Sequence, residues 1–275
     1  MLKHIFVRRK FKKQGVNKII LSIIFILIIS SYQAQTLRMG LLLGYNNTSL
    51  TNSNISSLGS QLGYLPSYSG SFGVTGVYNI DDSYLNISSG FIYTGANQKY
   101  TGVELSGQLY HYNTLSAETK LKYLDFPILF RVGDIVGFYG EIGPQFSFLL
   151  SSSSTVSFEP ADSAHLSSSG TYSSDFSGFV FSGVIGGGFT FIIQKKYIID
   201  VGFRVSYGLS DVTNSIQQTD TTSHSITGTY ANYTRYVYNK TANYGYTPTN
   251  RVSEGVYITL TFLIEGDTKF NKRFK

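Results

Sequence analysis

Seven charged residues stand on the polar side of alternating, strand-like runs: Arg38, Asp125, Arg131, Glu141, Asp200, Arg204 and Glu265. Successive side chains of a strand point to opposite faces, so each shares its face with Gly, Ser, Thr and Tyr and is backed by large apolar residues. Guanidinium and carboxylate groups gathered on one inner wall can line a path for ions, or they can pair with one another and close it. Both signs are about equally represented here, and a bore of about eight strands is just filled by its own side chains. An unpaired charge inside it is costly. The expected arrangement is a salt-bridged plug on a polar lumen, with a small-solute pore as the alternative.

Catalytic chemistry finds less support. His4 lies in a basic N-terminal stretch, and His111, His165 and His224 fall in three separate polar segments. Asp162 with His165 and Asp220 with His224 are the pairs closest to an acid–base arrangement, but neither carries the geometry of a triad. With no cysteine, the chain has no disulfide framework, thiolate metal site, catalytic thiol or lipid-modified Cys. Gly186-Gly187-Gly188 lies inside a strand-like run with no helix after it, so it is no phosphate loop; it is expected to mark a bend or bulge. Pro127 cannot donate to a strand ladder and points to a bulge or irregular pairing there. These observations point to a non-enzymatic protein without metal or cofactor.

Recognition by a surface loop is a different chemistry. Tyr230, Tyr233, Tyr236, Tyr238, Tyr244 and Tyr246 stand among Thr and Asn in one long polar segment, a composition that gives amphipathic contact area at low entropic cost. The same composition also suits a polar loop with no ligand, or strands carried beyond a membrane.

The elements that must position these groups are read from their alternation. Leu124, Phe126, Ile128, Phe130 and Val132 oppose Tyr123, Asp125, Pro127, Leu129 and Arg131, and Phe138, Ile142, Phe146 and Phe148 oppose Tyr139, Glu141, Gln145 and Ser147. Tyr197, Ile199, Val201, Phe203, Val205, Tyr207 and Leu209 oppose Asp200, Gly202, Arg204, Ser206 and Gly208. In the last run Val256, Ile258, Leu260, Phe262 and Ile264 oppose Tyr257, Thr259, Thr261 and Glu265. A soluble barrel would hide the large apolar face and coat the other with Lys and Glu. Here the second face is small and sparsely charged, which fits a lumen, and the apolar face fits lipid.

The links between runs alternate in length. Short turns fall at Asp81-Asp82-Ser83, at Gly133 to Val136 and at Gln194-Lys195-Lys196, and long segments run from Leu50 to Ser67, Asn97 to Thr119, Ser151 to Asp175 and Ser210 to Val252. Such wiring predicts an all-β, up-and-down antiparallel transmembrane barrel of about eight strands, with short periplasmic turns, long extracellular loops and both termini on the periplasmic side. Tyr45, Tyr78, Tyr84, Tyr93, Tyr139, Tyr197 and Tyr207 sit near strand ends and are expected to form an aromatic girdle.

Composition agrees with a membrane barrel. Charged residues make up 14% of the chain, against roughly 25% in a soluble domain. The formal charge of +6 hints at nucleic acid, but seven Lys and Arg lie before residue 19, ahead of the apolar run Ile19 to Ile29 and the stretch Ser30 to Gln35. That is the layout of a secretory signal, with a cut expected after Ala34; it leaves a nearly neutral mature chain and no nucleic-acid partner. The expected organisation is a signal peptide over 1–34, an outer-membrane barrel over 35–266 and a basic periplasmic tail over 267–275. Outer-membrane lipid is the expected partner, together with envelope or secretion proteins.

The run Leu121-Lys122-Tyr123-Leu124-Asp125-Phe126-Pro127-Ile128-Leu129-Phe130-Arg131 resembles the PorT-like outer-membrane barrel family, in which a strand of the form Tyr-Leu-acidic-apolar-Pro-apolar-Leu recurs. Gly140-Glu141-Ile142-Gly143-Pro144 is similar to that family's next strand, and Tyr207 to Val212 to the end of its penultimate one. The resemblance implies a barrel of about eight strands. For some relatives it implies an accessory role in type IX protein secretion.

Overall fold

The computed structural model describes residues 37–53, 63–80, 84–101, 106–107, 110–133, 136–160, 166–170, 176–194, 197–213 and 248–265. They form eleven strands: β1 (Leu37–Thr51), β2 (Gly63–Leu65), β3 (Ser67–Asn79), β4 (Leu85–Thr101), β5 (Ser106–Gly107), β6 (Tyr110–Gly133), β7 (Gly137–Pro160), β8 (Leu166–Gly170), β9 (Phe179–Gln194), β10 (Tyr197–Gly208) and β11 (Asn250–Glu265). Eight of these close into a ring in the order β1, β3, β4, β6, β7, β9, β10, β11, every neighbour antiparallel. Closure is made by β1 against β11, paired from Leu37 with Glu265 to Thr51 with Asn250. The short strands β2, β5 and β8 add to β4, β6 and β7 on the side of the long links.

The barrel is inside out relative to a soluble protein. Phe138 is 81% exposed, and Leu43, Ile142, Ile185, Phe203 and Val256 also project outward. Facing inward and buried are Arg38, Asp125, Arg131, Glu141, Asp200 and Arg251, with a lining of Ser, Thr and Asn. Only a hydrocarbon solvent makes that outer surface favourable, and a closed barrel leaves no unpaired strand edge in it. Among the described residues no helix is long and apolar enough to cross a membrane.

Two local expectations are corrected. The segments Asn97 to Thr119 and Ser151 to Asp175 are largely strand rather than loop: β6 and β7 each run for 24 residues and pair from Gly133 with Tyr139 to Tyr112 with Pro160, with a lapse at Ile128 and Leu129 and register shifts at Lys122/Tyr123 and Tyr112/Thr114. About 9–11 residues suffice to cross, so this hairpin carries the sheet well beyond the membrane. The Gly186–Gly188 stretch holds no bulge, since β9 keeps unbroken register there with both β7 and β10. Pro127 meets its expectation in the second form, irregular pairing without a bulge. Pairing with β4 lapses at Phe126 and Pro127 and resumes in the same register.

Candidate functional site

The lumen is crossed by two groups of ion pairs, each built on the same local unit. On β6, Tyr123 and Asp125 stand two residues apart and so share the inner face; on β7, Tyr139 and Glu141 repeat the arrangement. An arginine from elsewhere lies over each tyrosine ring and pairs with the acid beside it. Arg131 stacks its guanidinium 3.6 Å from the Tyr139 ring centre, with Nε 3.5 Å from Glu141 Oε2 and Nη1 donating to Asp200 Oδ1 at 3.2 Å. Arg251 lies 4.6 Å over Tyr123 and donates from Nη1 and Nη2 to Asp125 Oδ1 and Oδ2 at 3.1 and 3.0 Å. This two-pronged contact is the strong form of the arginine–carboxylate bond.

Arg204 completes the inner set. Its Nε donates to Glu141 Oε1 at 2.5 Å and its Nη2 to Oε2 at 3.4 Å, and its guanidinium lies 5.2 Å from the Tyr257 ring centre. Thr190 Oγ1 donates to Asp200 Oδ1 at 2.5 Å. Arg131, Glu141, Asp200 and Arg204 thus form one continuous chain of charges linking β6, β7 and β10.

The Arg251–Asp125 pair has a geometric consequence of its own. Strands β11 and β6 are four places apart whichever way the ring of eight is counted, so this contact spans the bore. Ser147 Oγ also accepts from Arg251 Nη1, at 3.3 Å. Between the two groups of ion pairs lies a cavity of about 10 Å³ lined by Asp125, Gln145, Arg204, Ser206, Arg251 and Tyr257. That is room for about one water molecule.

Close packing of this inventory explains the glycines. A Cβ on Gly188 would lie 2.3 Å from the Val201 carbonyl oxygen and 2.5 Å from the Tyr139 hydroxyl, and one on Gly202 would meet the same hydroxyl. These positions are bare because the Tyr139 ring occupies the space.

Of the residues that the sequence singled out, the structure brings Arg131, Glu141, Asp200 and Arg204 together, and it places Asp125 in the second group. Arg38 is 1% exposed and interacts electrostatically with Asp200 and Arg131, but among the described residues its Nε and Nη1 have no hydrogen-bond partner. Glu265 stands opposite Leu37 at the end of the ladder, and its side chain lies outside the described residues. Tyr230, Tyr233, Tyr236, Tyr238, Tyr244 and Tyr246 also lie outside the described residues. Tyr139 is a correction: it points into the bore rather than joining the girdle, because it shares the face of Glu141. Of the other tyrosines, Tyr45, Tyr78, Tyr93, Tyr197 and Tyr207 have outward parity, and Tyr84 is exposed just before β4.

Arg251 was missed. It fell inside the segment read as the last long loop, yet it has the parity of Ser253, Gly255, Tyr257, Thr259 and Thr261, and that parity was the available signal.

A closed ring of eight antiparallel strands with an apolar exterior and an ion-paired interior defines an integral outer-membrane β-barrel. In agreement, residues 33–214 match the family described as outer membrane protein beta-barrel domain, and the chain belongs to that family. The protein is thereby placed in the outer membrane. Among solved structures it is similar to Neisserial surface protein A, at 12% identity over 82% of this chain and 96% of that one, with a TM-score of 0.38. It is similar also to Ail, the attachment invasion locus protein of Yersinia pestis (12% identity, 82% and 98% covered, TM-score 0.31). A third is the outer membrane protease OmpT from Escherichia coli (9% identity, 84% and 96% covered, TM-score 0.33). No curated protein matches the sequence.

Proposed function

We propose that this protein is a non-enzymatic, non-conducting barrel that anchors recognition segments at the cell surface for an external or envelope partner. The observation that carries the sealed lumen is the Arg251–Asp125 pair across the bore, backed by the Arg131–Asp200 and Arg204–Glu141 pairs and a cavity with room for about one water. A barrel that does not conduct leaves its exterior and its loop-side face to do the work. On that face the β6–β7 hairpin projects, and the Tyr-rich segment 214–247 links β10 to β11.

The type IX secretion reading rests on the PorT-like motif, and the structure offers another reason for that motif. Tyr123 and Asp125 hold Arg251, so the Tyr-x-acidic pattern serves the lumen whatever the barrel's role. The two readings separate in a strain lacking this gene and complemented with the full chain or with residues 214–247 replaced by a short Gly-Ser turn. The surface-binding account expects the trimmed chain to assemble, to lose cross-linked partners on intact cells and to leave the secreted proteins unchanged. Loss of secreted proteins in the deletion strain would establish the secretion reading instead.

A further inference from the structure

Cations in this barrel are sorted by type. All four described arginines, Arg38, Arg131, Arg204 and Arg251, point into the bore, whereas all three described lysines, Lys99, Lys120 and Lys122, point outward and fall in one patch on the adjacent strands β4 and β6. Lys99 stands opposite Glu118, Lys120 opposite Asn97 and Lys122 opposite Gly95. Glu118 is shared, with Oε1 3.6 Å from Lys99 Nζ and Oε2 2.9 Å from Lys120 Nζ. One carboxylate against three ammonium groups leaves the patch positive, and Lys122 has no ion partner among the described residues.

Its position is set by the apolar band. On β6 the outward residues run Phe130, Ile128, Phe126, Leu124 and then Lys122, Lys120 and Glu118; on β4 they run Phe91, Tyr93 and then Gly95, Asn97 and Lys99. The lysines begin where the acyl-chain contact ends, on the side of the long links. In an outer membrane this is the headgroup level of the outer leaflet, which is built of phosphorylated glycolipid. Lysine stems can lie along the apolar band while the ammonium groups reach that level. Next along the wall, Asn97 Nδ2 donates to the Tyr68 carbonyl at 3.2 Å, and the Tyr68 ring stacks on Tyr45 with centres 5.5 Å apart, which puts amide and phenol groups beside the lysines. At the same distance from the band β7 presents Ser151, Ser153 and Thr155, without charge.

We propose that Lys99, Lys120 and Lys122 form a docking site for the phosphate of an outer-leaflet glycolipid, with Asn97 and Tyr68 beside them for its sugar hydroxyls. Phosphate is the recognised group, and the lipid is its source. The test uses the full chain in detergent micelles, titrated with phosphorylated lipid A, with the same lipid dephosphorylated, and with inorganic phosphate as competitor. The wild type is expected to prefer the phosphorylated lipid by roughly thirtyfold, the range that two net charges near a membrane surface supply. A triple Lys99→Gln, Lys120→Gln, Lys122→Gln variant is expected to lose the preference, and the triple Lys→Arg variant to keep it. Heat-dependent gel mobility reports whether each variant is folded, and if the Gln triple does not fold, the single Lys122→Gln takes its place with a partial loss expected. Equal binding of the two lipids by the wild type, or an undiminished preference in a folded Gln variant, would overturn the proposal. Displacement of the lipid by millimolar inorganic phosphate would overturn the choice of lipid as the source.

Discussion

Arg251 and Asp125 are buried, two-pronged partners whose strands stand on opposite sides of the bore. Removing either one strands the other charge, so Arg251→Ala or Asp125→Ala is expected to cost about 3–5 kcal/mol in reversible unfolding from lipid vesicles. Replacing both by apolar residues of similar volume, Arg251→Met with Asp125→Leu, is expected to recover most of that loss. A double variant as unstable as the singles would show that the two are not coupled. At this scale the sequence was readable in part. The inward parity of Asp125, Arg131, Glu141, Asp200 and Arg204 follows from a few residues of alternation, because lipid on one side forces apolar side chains at every second position. Which charge meets which does not follow: Arg251 and Asp125 are 126 residues apart, and their contact depends on the closure and stagger of the whole ring.

At the scale of the element, each crossing strand carries one lipid face and one filled face, and both can be tested. Phe203 projects outward in the middle of β10, so Phe203→Arg is expected to cost about 2–4 kcal/mol or to block assembly, whereas Asn47→Arg, outward on β1 beyond the apolar band, is expected to change stability little. On the inner face, Gly188→Ala drives a methyl group against the Val201 carbonyl and the Tyr139 hydroxyl and is expected to cost about 1–3 kcal/mol, while Gly140→Ala on the outer face meets nothing within 4 Å and is expected to be neutral. Comparable tolerance of Gly188→Ala and Gly140→Ala would mean that Tyr139 does not fill the bore. The ends of β6 and β7 show where sequence reading stops at this scale. Past Lys122 and Leu150 no acyl chains lie against the wall, so residues such as Ser151, Ser153 and Thr155 lose the apolar alternation while the ladder between the strands continues. A hydrophobic period reports the solvent and not the hydrogen bonds, so strand without lipid reads as loop.

For the whole molecule, the lengths of the links already determine an up-and-down barrel, because short turns at one end and long segments at the other fit that topology. Its state of filling is a property of all eight strands together. Arg131 of β6 reaches Asp200 of β10, Arg204 of β10 reaches Glu141 of β7, and Arg251 of β11 reaches Asp125 of β6. These three contacts cross the same narrow space, with room between them for about one water. The most direct test is the electrical behaviour of the purified full chain in planar lipid bilayers. A sealed lumen predicts no stable open level from the unmodified protein, and intermittent small currents once Arg251 and Asp125 are both replaced by Ala. A large, steady, ion-selective conductance from the unmodified chain would contradict the filled barrel and make the protein a pore.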